Sequence, residues 1–360
     1  MNAFQCKTKI ISGAGATVAL KELGSRRFLL VSDPYFTKDG TARQIAQLSG
    51  APDCRIFDRV QPDPSVALAA EGTALMQEFK PDTVCALGGG SAMDCAKAMV
   101  YFSGLPVQLV AIPTTSGSGS EVTNFTVLTH GAAKHPLVDE KLQPDVAILD
   151  SGLLKQLPKS LIADCGFDVL SHALESFVAT GAGAVSDVLA KEAFCVAYSQ
   201  LPASFGGCLQ VRQQIHEAST MAGMAFSQSG LGLCHAMAHV LGGAFHLPHG
   251  RLNAILLPEV VACNSRSCQK KYADMARAAG LGGSADTLAV RNLKNGLIRL
   301  RRQLQLPENL SQAGIAPRQV WQQADSLMES ILQDPCCKSN PLPVTEEILR
   351  SVLEAVTGRG

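Results

Sequence analysis

Thr83-Val84-Cys85-Ala86-Leu87-Gly88-Gly89-Gly90-Ser91-Ala92-Met93-Asp94 is the stretch on which the reading of the fold turns. Its first five residues make a short, mostly apolar run of the kind that forms a strand buried on both faces. Three glycines then let the backbone turn sharply, and a helical spacing takes over from residue 92 to 102. A strand that passes through a tight turn into a helix is half of a parallel β-α-β unit. The same alternation extends in both directions: 27–32, 53–57, 107–112 and 146–149 read as strands, and 65–79 reads as a helix. These runs predict an α/β N-terminal domain, Rossmann-like and doubly wound, whose parallel sheet binds ligands at the carboxyl ends of its strands.

Beyond Leu157-Pro158 the strand signal fades. Segments 164–180, 184–201, 209–227 and 286–305 carry helical spacing, and a last helix over 344–356 is announced by Pro343 and Thr345. The predicted organisation is a nucleotide-binding α/β domain over 1–160 and an all-helical domain over 161–360.

Composition narrows the class. The 360 residues are 46% apolar and 17% charged, with 31 basic and 31 acidic side chains, so the formal net charge is zero. Such a balance argues against nucleic acid or an anionic membrane as partner. Twelve cysteines without a C-x-x-C pair read as reduced thiols. The opening Met1-Asn2-Ala3-Phe4-Gln5-Cys6-Lys7 lacks the layout of a signal peptide and offers no separate amphipathic targeting helix. No apolar run is long enough to span a bilayer. The expectation is a soluble cytoplasmic protein.

Two loops bear on a nucleotide. At Gly88-Gly89-Gly90-Ser91 the backbone can approach a pyrophosphate, and the free amides of the following helix would face its charge; the simpler reading makes Ser91 an ordinary helix N-cap. It is not the G-x-G-x-x-G fingerprint. Ile112-Pro113-Thr114-Thr115-Ser116-Gly117-Ser118-Gly119-Ser120-Glu121 also follows a strand, and its hydroxyls suit either a phosphate and ribose or plain capping. Two such loops on successive strand ends favour a nucleotide. Asp33, after strand 27–32, can accept from a ribose diol or start a turn with Pro34.

The helical half carries a different chemistry. Asp168 and His172 stand four apart, which puts carboxylate and imidazole on one helix face. His235 and His239 repeat the spacing, and His246 and His249 follow, so five of eight histidines fall in two apolar segments. One histidine alone would read as a hydrogen-bonded core residue. Clustered with an in-helix Asp, they suit Fe²⁺ or Zn²⁺ better than Mg²⁺ or Ca²⁺. Cys234, next to His235, should point elsewhere.

Taken together, G-G-G-S-x-x-D at 88–94, P-T-T-x-x-S-G-S-E at 113–121, G-x-D-x-x-x-H at 166–172 and H-x-x-x-H with H-G over 235–250 resemble the iron-containing (group III) alcohol dehydrogenase family. Within it, Lys134-His135-Pro136-Leu137, 222–228 and 245–250 are similar to the propanol dehydrogenases of propanediol-utilisation microcompartments, with the ethanolamine-utilisation alcohol dehydrogenases close by. The resemblance implies the dehydroquinate synthase-like two-domain fold, with a cleft for cofactor and metal. It implies Asp168, His172, His235 and His249 as metal ligands, and His239 as a non-ligand histidine beside the nicotinamide. For the cofactor it implies Gly89, Gly90, Ser91 and Asp94 along the pyrophosphate, Thr114, Thr115, Ser118 and Thr123 in the second loop, Asp33 on the adenosine ribose, and Lys134. Asp63 stands where many relatives carry Asn, and His246 is read as a supporting residue rather than a ligand.

The implied chemistry is NAD(H)-linked interconversion of a short primary alcohol and its aldehyde, with the metal as Lewis acid and His239 either relaying a proton or walling the nicotinamide pocket. Propionaldehyde or acetaldehyde would be reduced, regenerating NAD⁺ for a companion aldehyde dehydrogenase inside a microcompartment. A homodimer or larger homo-oligomer is expected. The rival is a non-redox lyase of the dehydroquinate synthase type, which needs Lys and Arg around its metal, and segments 164–180 and 228–250 have neither. A binding-only subunit would not need all four ligand types intact.

Overall fold

In the computed structural model the opening stretch forms a strand over Thr83–Gly88 and a helix over Gly90–Ser103, with Gly89 at the N-cap. The structure describes residues 4–131 and 133–358, so the first three residues of the N-terminal stretch lie outside it. Contacts divide the chain into a unit of Gln5–Leu157 and a unit that begins at Pro158.

Among its described residues the first unit holds eight strands: β1 (Lys9–Ser12), β2 (Arg27–Ser32), β3 (Asp53–Phe57), β4 (Thr83–Gly88), β5 (Gln108–Pro113), β6 (Phe125–His130), β7 (Ala133–Val138) and β8 (Val146–Leu149). Its helices are α1 (Pro34–Lys38), α2 (Thr41–Leu48), α3 (Val66–Phe79) and α4 (Gly90–Ser103). Six strands pair in the order β1-β8-β5-β4-β2-β3, all parallel. Successive residues of one strand serve opposite layers. Leu29 and Val31 pack with Met76, Phe79, Met93 and Met99 from α3 and α4, whereas Phe28 and Leu30 pack with Leu20, Ala42 and Ile45. Burial on both faces explains the apolar runs of the central strands β2, β4, β5 and β8.

Strand order reverses between β2 and β4, since β3 lies outside β2 while β5 and β8 lie outside β4. Such a switch point opens a crevice at the strands' carboxyl ends. Asp33 and Gly88 stand there, and a Cβ placed on Gly88 would come 3.8 Å from Asp33 Oδ2. Two strand features of this unit went unread in the sequence. The edge strand β1 is four residues long, and the antiparallel β6–β7 hairpin carries Pro136, Lys134 and two histidines, which mask its alternation.

The second unit comprises α5 (Lys159–Val178), α6 (Ala184–Phe205), α7 (Arg212–Ser229), α8 (Leu233–Phe245), α9 (His249–Ala278), α10 (Asp286–Gln303), α11 (Pro317–Gln322), α12 (Ala324–Gln333) and α13 (Glu346–Thr357). Among its described residues every regular element is helical. α5 packs against α6, α7 and α9 and is buried at nearly every position from Ile162 to Val178. A helix buried all round is normally apolar. This one carries Asp164, Asp168, His172 and Glu175, all buried.

Candidate metal centre and nucleotide loops

Three histidines from different turns of chain close on one carboxylate. Asp168 Oδ1 lies 3.9 Å from His172 Nδ1, 3.8 Å from His235 Nε2 and 3.5 Å from His249 Nε2. Asp168, His235 and His249 form the tightest set, their ligand atoms all within 4.8 Å of one another. His172 stacks on His235 with ring centroids 4.4 Å apart, and on its other side against Phe226 at 4.4 Å. Among the described residues His235 Nε2 is buried without a hydrogen-bond partner. A buried imidazole nitrogen left without a hydrogen-bond partner, facing a carboxylate and two further imidazoles, is a donor set that fits Fe²⁺ or Zn²⁺.

Local structure brings these groups together. Asp168 and His172 are one turn apart on α5. His249 is the first residue of α9, and a Cβ on Gly250 would run into the backbone carbonyl of Asp164, so only glycine lets α9 abut α5 here. Arg251 clamps the same junction by donating Nε and Nη2 to Asp164 at 3.2 and 3.0 Å. Asn253 Nδ2 donates to Asp168 Oδ1 at 2.8 Å. Burial alone would raise the Asp168 carboxyl, but His172, His249 and His235 hold it well below the usual carboxylate range.

Glu175 was not singled out in the sequence, yet it organises the site. Its Oε2 lies 2.6 Å from His235 Nδ1, which leaves Nε2 to face Asp168. The same carboxylate accepts the backbone N–H groups of Gly232, Cys234 and His235 at 3.0, 2.6 and 3.2 Å. Asn340 Oδ1 accepts Leu233 N–H at 3.0 Å. Gly232 has no side chain to cap α8, so these buried acceptors do it instead. The available signal was spacing, because Asp168, His172 and Glu175 run i, i+4, i+7 along one face of α5. Burial would lower the His235 imidazole, but the two carboxylates push it up to about 9.

His239 stands apart from that set. It is exposed, its Nδ1 is 2.9 Å from Asp334 Oδ2, and its ring stacks on His249 at 5.3 Å. His246 is the exposed C-cap of α8, with a left-handed backbone at φ 54°. Cys234 is buried, with Sγ 3.5 Å from Asn253 Oδ1.

At the nucleotide end, Gly89 rather than Ser91 is the N-cap, and Ser91 lies inside the first turn of α4. No side chain caps that helix. Cβ atoms on Gly89 and Gly90 would lie 3.3 Å from Thr115 Oγ1 and 3.5 Å from Ser118 Cβ, so the two loops touch where side chains are missing. Thr114 N–H donates to Gly88 O at 2.9 Å, extending the β4–β5 pairing into the loops. A bare helix N-terminus beside hydroxyl side chains fits an anionic pyrophosphate. Asp33 caps α1 through Oδ1, 2.8 Å from Tyr35 N. Asp94 is pushed up to about 6 by burial, which Lys97 opposes. Thr123 is buried, its hydroxyl 2.9 Å from Lys97 Nζ. Lys134 is exposed on β7 and paired with Asp63 at 2.6 Å.

Residues 7–151 match the family described as iron-containing alcohol dehydrogenase, and residues 162–357 match the C-terminal part of the Fe-containing alcohol dehydrogenase family. A 1-propanol dehydrogenase of Citrobacter freundii is 39% identical, across 98% of this chain and 99% of its own length. An NADPH-dependent butanol dehydrogenase of Clostridium saccharobutylicum is 34% identical, across 99% of this chain and 98% of its own. The solved structure of an iron containing alcohol dehydrogenase from Thermococcus thioreducens matches with a TM-score of 0.91 at 30% identity, covering 99% of this chain and all of that one. These matches take in both units, and the chain belongs to the iron-containing alcohol dehydrogenase family.

Proposed function

We propose that this alcohol dehydrogenase reduces short, uncharged aldehydes to primary alcohols with NADH, at a divalent metal held by Asp168, His172, His235 and His249. The observation that carries the reading is the closure of three imidazoles on Asp168 around the orphaned Nε2 of His235. A metal there supplies Lewis-acid polarisation of a carbonyl oxygen, and a reduced nicotinamide supplies the reducing equivalents. The protein's share is to fix the ligands: Glu175 orients His235, Asn253 orients Asp168, and the Gly250 contact seats His249. His239, half-exposed and held by Asp334, would hand a proton to the product oxygen.

Similarity to a 1-propanol dehydrogenase supports propionaldehyde or acetaldehyde as substrate. It also supports work beside an aldehyde dehydrogenase in a microcompartment, where reduction would return NAD⁺. No helix among the described residues is long and apolar enough to cross a membrane. The lyase alternative needs cations for an acidic substrate, and Arg251, the basic residue next to His249, is taken up by Asp164.

The test is metal analysis of anaerobically prepared protein, coupled to an aldehyde series with NADH and NADPH. About one Fe²⁺ or Zn²⁺ per chain with turnover of short aldehydes is the expected result. Full activity in protein stripped of metal would overturn it.

A further inference from the structure

Lys97 is 1% exposed, and its ammonium is spent inside the protein. Nζ donates to Ser120 Oγ at 3.0 Å, Thr123 Oγ1 at 2.9 Å, Thr123 O at 3.0 Å and Phe125 O at 2.9 Å, so its three N–H groups are shared among four oxygens. Two carboxylates face it: Asp94, one turn earlier on α4, and Glu121, on the short turn Ser120–Val122. Burying an ammonium is costly unless every proton finds an acceptor, and here each does.

The position matters as much as the bonding. Lys97 belongs to α4, the helix whose bare N-terminus follows Gly89. All four of its acceptors belong to residues 120–125, directly after the Thr114–Ser118 loop. The two loops are joined at one end by the Thr114 N–H to Gly88 O bond and touch along Gly89–Thr115 and Gly90–Ser118. At the other end Lys97 ties helix to loop. Without that tie the β4–β5 pairing would still hold the strands and Thr126 Oγ1 would still donate to Asp94 O at 2.8 Å, but residues 120–123 would lose the bonds that Lys97 makes to them.

We propose that Lys97 is a positioning residue that never touches the coenzyme but sets the spacing of the two loops that hold its pyrophosphate. This rests on the nucleotide reading above. A preformed spacing spares the coenzyme the cost of ordering both loops, so loss of the tie weakens binding. The side chain acts before the chemistry, and turnover at saturating coenzyme should be largely retained.

The test is NADH affinity, read by nicotinamide fluorescence, in wild type, Lys97→Met and Ser120→Ala, with kcat at saturating NADH beside it. Lys97→Met should raise the Kd about 10- to 100-fold, and Ser120→Ala about two- to fivefold, with kcat changed less than about threefold. A folded Lys97→Met variant with wild-type Kd, or one whose Kd holds while kcat collapses, overturns the proposal. Should Lys97→Met fail to fold, wild-type Kd in Ser120→Ala overturns it equally. Wild-type protein that binds neither NADH nor NADPH would remove the nucleotide reading itself, and this inference with it.

Discussion

Glu175 reaches His235 twice, through Nδ1 at 2.6 Å and through the backbone N–H at 3.2 Å, so one buried carboxylate aims the imidazole and caps the helix that carries it. Glu175→Gln keeps the volume but turns an amide N–H₂ toward backbone donors. Metal affinity should fall about 10- to 100-fold, as is typical when the partner of a ligating histidine is lost. Chelator competition measures this, and unchanged affinity would reduce Glu175 to a helix cap.

His249 and His239 stack on each other yet should differ in effect. His249→Ala removes a donor 3.5 Å from Asp168 Oδ1 and should sharply lower metal content. His239→Ala, whose partner is Asp334, should keep its metal and lose turnover. Metal analysis of both variants decides, and metal lost as readily from His239→Ala as from His235→Ala would undo the division.

Asp33 offers a test of coenzyme choice that separates charge from capping. Asp33→Asn retains an oxygen for Tyr35 N–H but removes the negative charge that would oppose a 2′-phosphate. Wild type should prefer NAD(H), and the variant should narrow the kcat/KM gap to NADP(H) about tenfold. A wild-type preference for NADPH, or an unmoved ratio, would leave Asp33 as a turn residue only.

Asp150 sets part of the acid stability. Burial would raise its carboxyl, but bonds from Gly15 N, Thr17 N, Thr17 Oγ1 and Gly152 N hold it below the ordinary value. The folded carboxyl thus binds its proton less readily than the unfolded one. Its stabilisation is complete above about pH 4, the unfolded value, and is lost as pH falls through the lower folded value. The Tm advantage of wild type over Asp150→Asn should therefore be widest at neutral pH and shrink below about pH 4. A gap of constant size from pH 7 to pH 3 would contradict this.

What the sequence determined by itself was local in origin. Buried strands show as unbroken apolar runs because both faces are covered, and the step from 83–88 through glycine into α4 needs no distant residue to be seen. Asp168 and His172 were legible because helix geometry alone puts i and i+4 on one face. Other features depended on residues far apart in the chain, and only the tertiary structure decided them. α9 escaped notice because Pro258 interrupts its pattern, and its start is set by a contact between Gly250 and Asp164. Glu175 looked like one more polar residue until α8 arrived with uncapped N–H groups. Lys97 carried no mark in the sequence, and its buried place was decided only by residues 120–125 folding over it and supplying its acceptors. Periodicity records which face of an element is buried, whereas the partner that a buried polar group finds is a property of chain segments meeting in space.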